Sequence, residues 1–262
     1  MKSVFKSFLF FILAVVLINK VSSFLDKVDF SAPLCIDEVS VDSLQLDHNY
    51  TRAWSDAYEK YCMDYYASNA LYLESKADRE RITFPKDYYT FAQYWGDLYR
   101  QLIENNEQRL DYIADSLVVQ AAIEGITGRR FAEMIVTFVQ DIPYSYVQTE
   151  PCEESETNGK PCLDGIEYGI ISPIEFLHTL YGDCDTRSVL LYCLLNRFGF
   201  ETLVVVSKEY KHAMIAVNIP SAGDFLIHES KKYYFWETTH TGWPIGMLPP
   251  DVNEVDYWEI AI

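Results

Sequence analysis

The sequence predicts an α+β fold in which helices lead into a meander of antiparallel strands, and three observations carry that reading. Apolar residues recur at helical spacing through residues 87–124 and again through 129–140. Three strand-like runs, at 201–207, 212–219 and 231–238, then follow one helix in close succession, with a fourth at 257–262. The composition, 49% hydrophobic and 23% charged over 262 residues, is that of a globular chain long enough to bury a core.

Residues 1–23 read as an export signal. Lys2 and Lys6 precede a short apolar run at 7–18, and Val21 and Ser23 suit the small-residue cleavage rule, which makes Phe24 the first mature residue. Lys20 stops the apolar run short of the ~20 residues a spanning helix needs, so no membrane span is expected after processing. Removing Lys2, Lys6 and Lys20, with no acid, takes the formal charge from −18 to −21. A surface this negative, without a compensating Lys/Arg cluster, repels phosphate backbones and excludes nucleic-acid binding.

Residues 24–48 show no period and read as an extended lead-in. Between 50 and 82, Trp54, Tyr58, Tyr61 and Tyr65 recur at helical spacing, while the same aromatic content fits strands equally well. Phe84-Pro85 marks a break. Tyr94, Leu98, Leu102, Ile103, Leu110 and Ile113 then carry a helical stripe to about 124, and Gly125 and Gly128 interrupt it. Residues 24–127 are therefore expected to form a mainly helical N-terminal region, a packed lid or a second lobe, with the core at 128–262. In that core, Phe131, Ile135, Phe138 and Val139 line a helix that Pro143 ends. Ser172-Pro173 supplies an N-cap and first helical residue, Gly182 breaks the chain, and residues 184–196 form a helix closed by Gly199.

Six cysteines in an exported chain suggest disulfides. Cys152 and Cys162 bracket a loop with an Asn158-Gly159 turn signal and are expected to pair. Cys35 and Cys62 remain available to each other. Cys184 and Cys193 lie nine residues apart on one helix, about 13.5 Å of rise and half a turn out of phase, and cannot bridge. Cys193, among leucines, reads as a buried small hydrophobe. Cys184 is left without a structural explanation.

Its surroundings supply a chemical one. Tyr181-Gly182-Asp183-Cys184-Asp185-Thr186-Arg187 sets a thiol at a helix start, where free N–H groups and the positive dipole end favour thiolate. His212 opens the second following strand and Glu237 closes the next. Antiparallel pairing of His212 with Glu237, Met214 with Phe235 and Ala216 with Tyr233 puts imidazole and carboxylate on one face, in the order nucleophile, base, orienting acid. Residues 224–228 form a further hairpin candidate. Asp183 and Asp185 are expected to complement the helix start, with Arg187 paired to one of them; acids beside a cysteine also raise its pKa, so their orientation matters.

Gly-Asp-Cys184-Asp-Thr-Arg, Lys211-His212-Ala213-Met214 and Tyr234-Phe235-Trp236-Glu237-Thr238-Thr239 together resemble the transglutaminase-like superfamily, closest to exported bacterial members. The resemblance covers about residues 128–262 and, more weakly, the Trp54–Asp56 region. It implies a papain-like core, with the cysteine helix packed on an antiparallel sheet. It implies Cys184 as nucleophile, His212 as general base then acid, and Glu237 as orienting acid, where many members carry Asp. By similarity to the glutamine upstream of the papain-like cysteine, Gln140 is the side-chain oxyanion donor.

The rival chemistries are not supported. There is no Gly-x-Ser-x-Gly elbow, phosphate-binding loop or His-Glu-x-x-His. A zinc site from His178, Asp183, Cys184 and His212 lacks the close paired spacing of metal sites, so neither metal nor cofactor is expected. Trp236 and Trp243 read as core residues or as the floor of a groove. The expected function is an exported cysteine-dependent amide hydrolase or acyltransferase, hydrolysis favoured, acting on a peptide or protein. The alternative is a non-catalytic binding module on the same scaffold. The acidic envelope favours cationic or neutral peptides over anionic polymers.

Overall fold

The computed structural model describes residues 47–83, 90–153, 157 and 159–262, so the segment read as an export signal, the expected cleavage site, the lead-in up to residue 46 and Cys35 lie outside the described residues. Mixed helix and antiparallel sheet make up the fold, as the sequence pattern requires.

The larger sheet has the order β7-β8-β6-β5-β9, built from β5 (Thr202–Ser207), β6 (His212–Val217), β7 (Phe225–His228), β8 (Lys231–Trp236) and β9 (Glu259–Ile260). Every pairing in it is antiparallel. β5 is buried at all six positions, as expected of a central strand covered on both faces. Val204, Val206 and Ala213 face the helices with Cys184. Leu203, Val205, Met214, Ala216 and Phe235 face the opposite layer, where Leu248 and Trp258 cover them.

Six α-helices lie among the described residues: α1 (Asn69–Arg79), α2 (Phe91–Asn106), α3 (Asp111–Glu124), α4 (Arg129–Asp141), α5 (Pro173–Thr179) and α6 (Cys184–Arg197). α6 packs on β5 and β6 and is surrounded by α2, α4 and α5. Its apolar residues are therefore buried on all sides. Asp183 caps it by accepting from the Thr186 N–H at 3.1 Å, and Gly199 at φ +81° follows its end. α5 begins as expected, with Ser172 as N-cap ahead of Pro173, and Glu175 completes a capping box with it.

The ambiguous stretch after residue 50 resolves into a hairpin followed by α1. β1 (His48–Ser55) pairs with β2 (Lys60–Ala67), Trp54 opposite Tyr61, and the turn is held by Asp56 Oδ1 accepting from the Tyr58 and Glu59 N–H groups. Tyr50, Arg52 and Trp54 on one strand, and Tyr61, Met63, Tyr65 and Ala67 on the other, are buried with a period of two. The N-terminal region is thus not wholly helical. The main core cluster runs from Tyr50 to Ile245, across residue 128, so both parts share one interior.

Away from the main sheet, β3 (Tyr146–Val147) and β4 (Cys162–Leu163) form a short parallel pair, and the Cys152–Cys162 disulfide staples the loop between them, Cα atoms 6.2 Å apart. Cys184 and Cys193 are free thiols, both buried. Among the described residues no helix is long and apolar enough to cross a membrane.

Candidate active site

The β5–β6 hairpin delivers His212 to the rim of a cleft. Ser207 pairs with His212, and the intervening loop ends at Lys211, held at φ +49°, a left-handed conformation for a residue with a side chain. His212 Nε2 lies 2.9 Å from Glu237 Oε2. The other carboxylate oxygen, Oε1, accepts from the Thr238 and Thr239 N–H groups at 2.8 Å and from Thr239 Oγ1 at 2.7 Å. Burial works to raise the Glu237 pKa, but the hydrogen bond and charge of His212, with the Thr239 donors, outweigh it and hold the carboxyl at about 2. Glu237 is thus a fixed carboxylate in hydrogen-bond contact with the imidazole.

The pairing behind this contact differs from the expected register. Ile215 lies opposite Trp236 and Ala216 opposite Phe235, a shift of two residues. A two-residue shift keeps every side chain on its face, so the hydrophobic pattern does not distinguish the two registers. Glu237 lies just past the end of β8 and reaches His212 on a diagonal, which its extra methylene spans where a shorter acid has less reach.

Cys184 begins α6 and lies against β6 at Ala213, the residue after His212. It is 6% exposed. Its Sγ donates to Asp185 Oδ2 at 3.4 Å, and the Tyr99 hydroxyl of α2 donates to Asp185 Oδ1. Burial pushes the thiol pKa well above the ordinary range, and the Asp185 and Asp183 carboxylates add to the rise. Burial likewise raises the pKa values of Asp183 and Asp185. The structure thus brings His212 and Glu237 into contact and sets Cys184 beside the start of β6. Its thiol hydrogen bond goes to Asp185.

Two expectations are corrected. Arg187 pairs with neither aspartate. Fully buried, it donates from Nε to the Gly182 carbonyl at 3.0 Å, from Nη1 to Val139 at 2.8 Å, and from Nη2 to Ile142 and Pro143 at 2.7 and 2.8 Å. The guanidinium fork satisfies backbone that the ends of α4 and α5 leave open, and burial lowers its pKa to about 10. Gln140 is not free to serve an oxyanion. Its amide nitrogen donates to the carbonyls of Glu237 at 2.7 Å and Trp243 at 3.0 Å, which uses both hydrogens. It positions the acid's backbone.

The cleft has a volume of about 910 Å³. His212, Glu237, Tyr144, Tyr146, Trp243 and Lys160 are among its lining residues; Cys184 is not. The disulfide-stapled loop supplies one wall, where Lys160 Nζ sits 5.0 Å from the Tyr144 ring centre. Trp243 therefore faces the groove, whereas Trp236 is core and donates to the Trp243 carbonyl at 3.1 Å. His178 is buried beside Tyr72 and His48.

No protein-family profile, curated protein or solved structure matches the chain. The site is accordingly read from its own geometry. Sequence reasoning missed Tyr99, Tyr144 and the Arg187 clamp. A weak signal existed for the last, since an arginine inside a helix apolar on every side must find partners.

Proposed function

We propose that this protein is a cysteine-dependent amide hydrolase or acyltransferase of the transglutaminase-like kind, acting on peptides through a thioester at Cys184. One observation carries the reading: a buried carboxylate with all its donors in place fixes the ring of His212 at the mouth of a peptide-sized cleft, beside a helix that starts with a cysteine.

With Nε2 engaged by Glu237, Nδ1 is the ring nitrogen left to exchange a proton with Cys184. The thiol proton passes to the imidazole as the Sγ–carbonyl carbon bond forms and the carbonyl π pair moves onto oxygen. The Cys184 backbone N–H, in the open first turn of α6, is the donor for that oxyanion. Collapse breaks the C–N bond, and the leaving amine takes the proton from His212. Water, or a second amine, gives a proton back to the imidazole and resolves the thioester.

The test is incubation with a peptide digest of denatured protein, followed by mass spectrometry. New termini or converted carboxamides should be present with the native chain and lost in both Cys184→Ala and His212→Ala. Equal processing by Cys184→Ala overturns the proposal.

A second reading, a non-catalytic peptide-binding module, has its own observation: Cys184 is 6% exposed and does not line the cleft. It predicts that the native chain and Cys184→Ala bind the same peptides equally and process none.

A further inference from the structure

We propose that Asp185, anchored by Tyr99, is a positioning residue that keeps Cys184 as a neutral, hydrogen-bonded thiol at rest, so that the nucleophile forms only when Sγ turns from Asp185 to His212. The proposal takes its catalytic meaning from the function proposed above, while its acid–base content stands on the contacts alone.

Three observations carry it. Cys184 Sγ donates to Asp185 Oδ2 at 3.4 Å, and among the described residues no hydrogen bond joins Sγ to His212. The second oxygen of Asp185 is taken by the Tyr99 hydroxyl, so the carboxylate is tied at both ends and does not swing out to solvent. Tyr99 is itself fully buried on α2, its ring 5.7 Å from that of Trp95, and burial keeps its phenol protonated and therefore a donor.

The chemistry of this placement opposes activation. A helix start alone favours thiolate, whereas a carboxylate in contact with the sulfur favours the thiol. The other charged and titratable groups facing the cluster are Asp183 on the same turn, Tyr144 from the segment before β3, His212 from β6, and Arg187, whose donors go to backbone carbonyls. Asp183 acts in the same sense as Asp185. Leaving the resting state breaks the S–H···O contact and passes the thiol proton to the His212 ring, while Asp185 gains no proton. Tyr99 belongs to the helical region N-terminal to residue 128, so that region sets the reactivity of the thiol directly.

The experiment measures the rate at which iodoacetamide alkylates Cys184, mapped by peptide mass spectrometry so that Cys193 is counted separately, from about pH 5 to about pH 10. Asp185→Asn, nearly isosteric, should move the midpoint down by about one pH unit and speed alkylation near neutrality by about tenfold. Tyr99→Phe should move it the same way by less, since the carboxylate keeps its charge but loses the anchor that holds it against the sulfur. A merely structural Asp185 would lower thermal stability and leave the midpoint in place. An unmoved midpoint in Asp185→Asn, or one moved upward as for an assisting base, overturns the proposal. Because alkylation needs no substrate, a native chain that processes no peptide defeats the proposed function alone, and an unmoved midpoint in an active enzyme defeats this inference alone.

Discussion

Glu237 and His212 meet on a diagonal because β8 pairs with β6 two residues away from the register that puts them face to face. Under the proposed function, the length of the glutamate side chain is then part of the mechanism. Glu237→Asp should withdraw the carboxylate from Nε2 and lower kcat by roughly 10- to 100-fold with little change in KM, since the side chain orients the base rather than the substrate. Unchanged kcat in that variant contradicts the orienting role. The same residue contributes to the pH dependence of stability. Its folded pKa of about 2 lies below the ordinary value of 4.5, so its contribution is fully present above about pH 4.5 and lost as pH falls toward 2. Glu237→Gln should flatten the acid limb of a plot of unfolding free energy against pH, measured by urea titration, and an unaltered limb would remove the assignment.

At the scale of elements, α6 is the hub that connects the site to the rest of the chain. Arg187 holds the ends of α4 and α5 to its first turn through four backbone carbonyls. Arg187→Met leaves those acceptors unpaired in the interior and should cost more than about 3 kcal/mol, read from the urea midpoint; a loss below about 1 kcal/mol would mean that water replaces the guanidinium. The β3–β4 loop shows a different kind of support. Its disulfide closes a short segment that forms one wall of the cleft, and Cys152→Ser with Cys162→Ser should cost about 2–3 kcal/mol by loop entropy and raise KM. The buried Arg79–Glu175 pair, with Nε 2.9 Å from Oε2, fastens α1 to the start of α5 in the same manner.

For the whole molecule, a formal charge of −18 sets up self-repulsion that the fold must overcome. Raising NaCl from about 0.02 M to about 0.3 M should therefore raise the Tm by a few degrees through screening, and a fall would show that local ion pairs dominate instead. The cleft is closer to neutral than that acidic envelope: Lys160 and Lys211 stand against Asp251 and Glu237, and its Asp141 is ion-paired with Arg52 at 2.8 Å. Distance along the chain decides how much of this molecule was legible in its sequence. The limits of α4, α5 and α6 were readable because caps, Pro173 and Gly199 are local signals, and β5 and β6 because their apolar runs are continuous. The β1–β2 hairpin was not separable from a helix, because tyrosines four apart share a face in both periodicities. The contacts of Gln140 with Glu237 and Trp243, of Tyr99 with Asp185, and of Arg187 with Val139, Ile142 and Pro143 join positions 44 to 103 apart and leave no trace in local pattern. The helix start of Cys184 and the acids beside it were legible; that the Asp185 carboxylate turns toward the thiol was not.

The most direct measurement is intact-protein mass spectrometry of the chain, quenched in acid while it processes a peptide digest. The account predicts an added acyl mass that maps to Cys184, is released by hydroxylamine as expected of a thioester, and is absent from Cys184→Ala. Turnover of the digest without any acyl group on Cys184, or with one mapped to another residue, would contradict it.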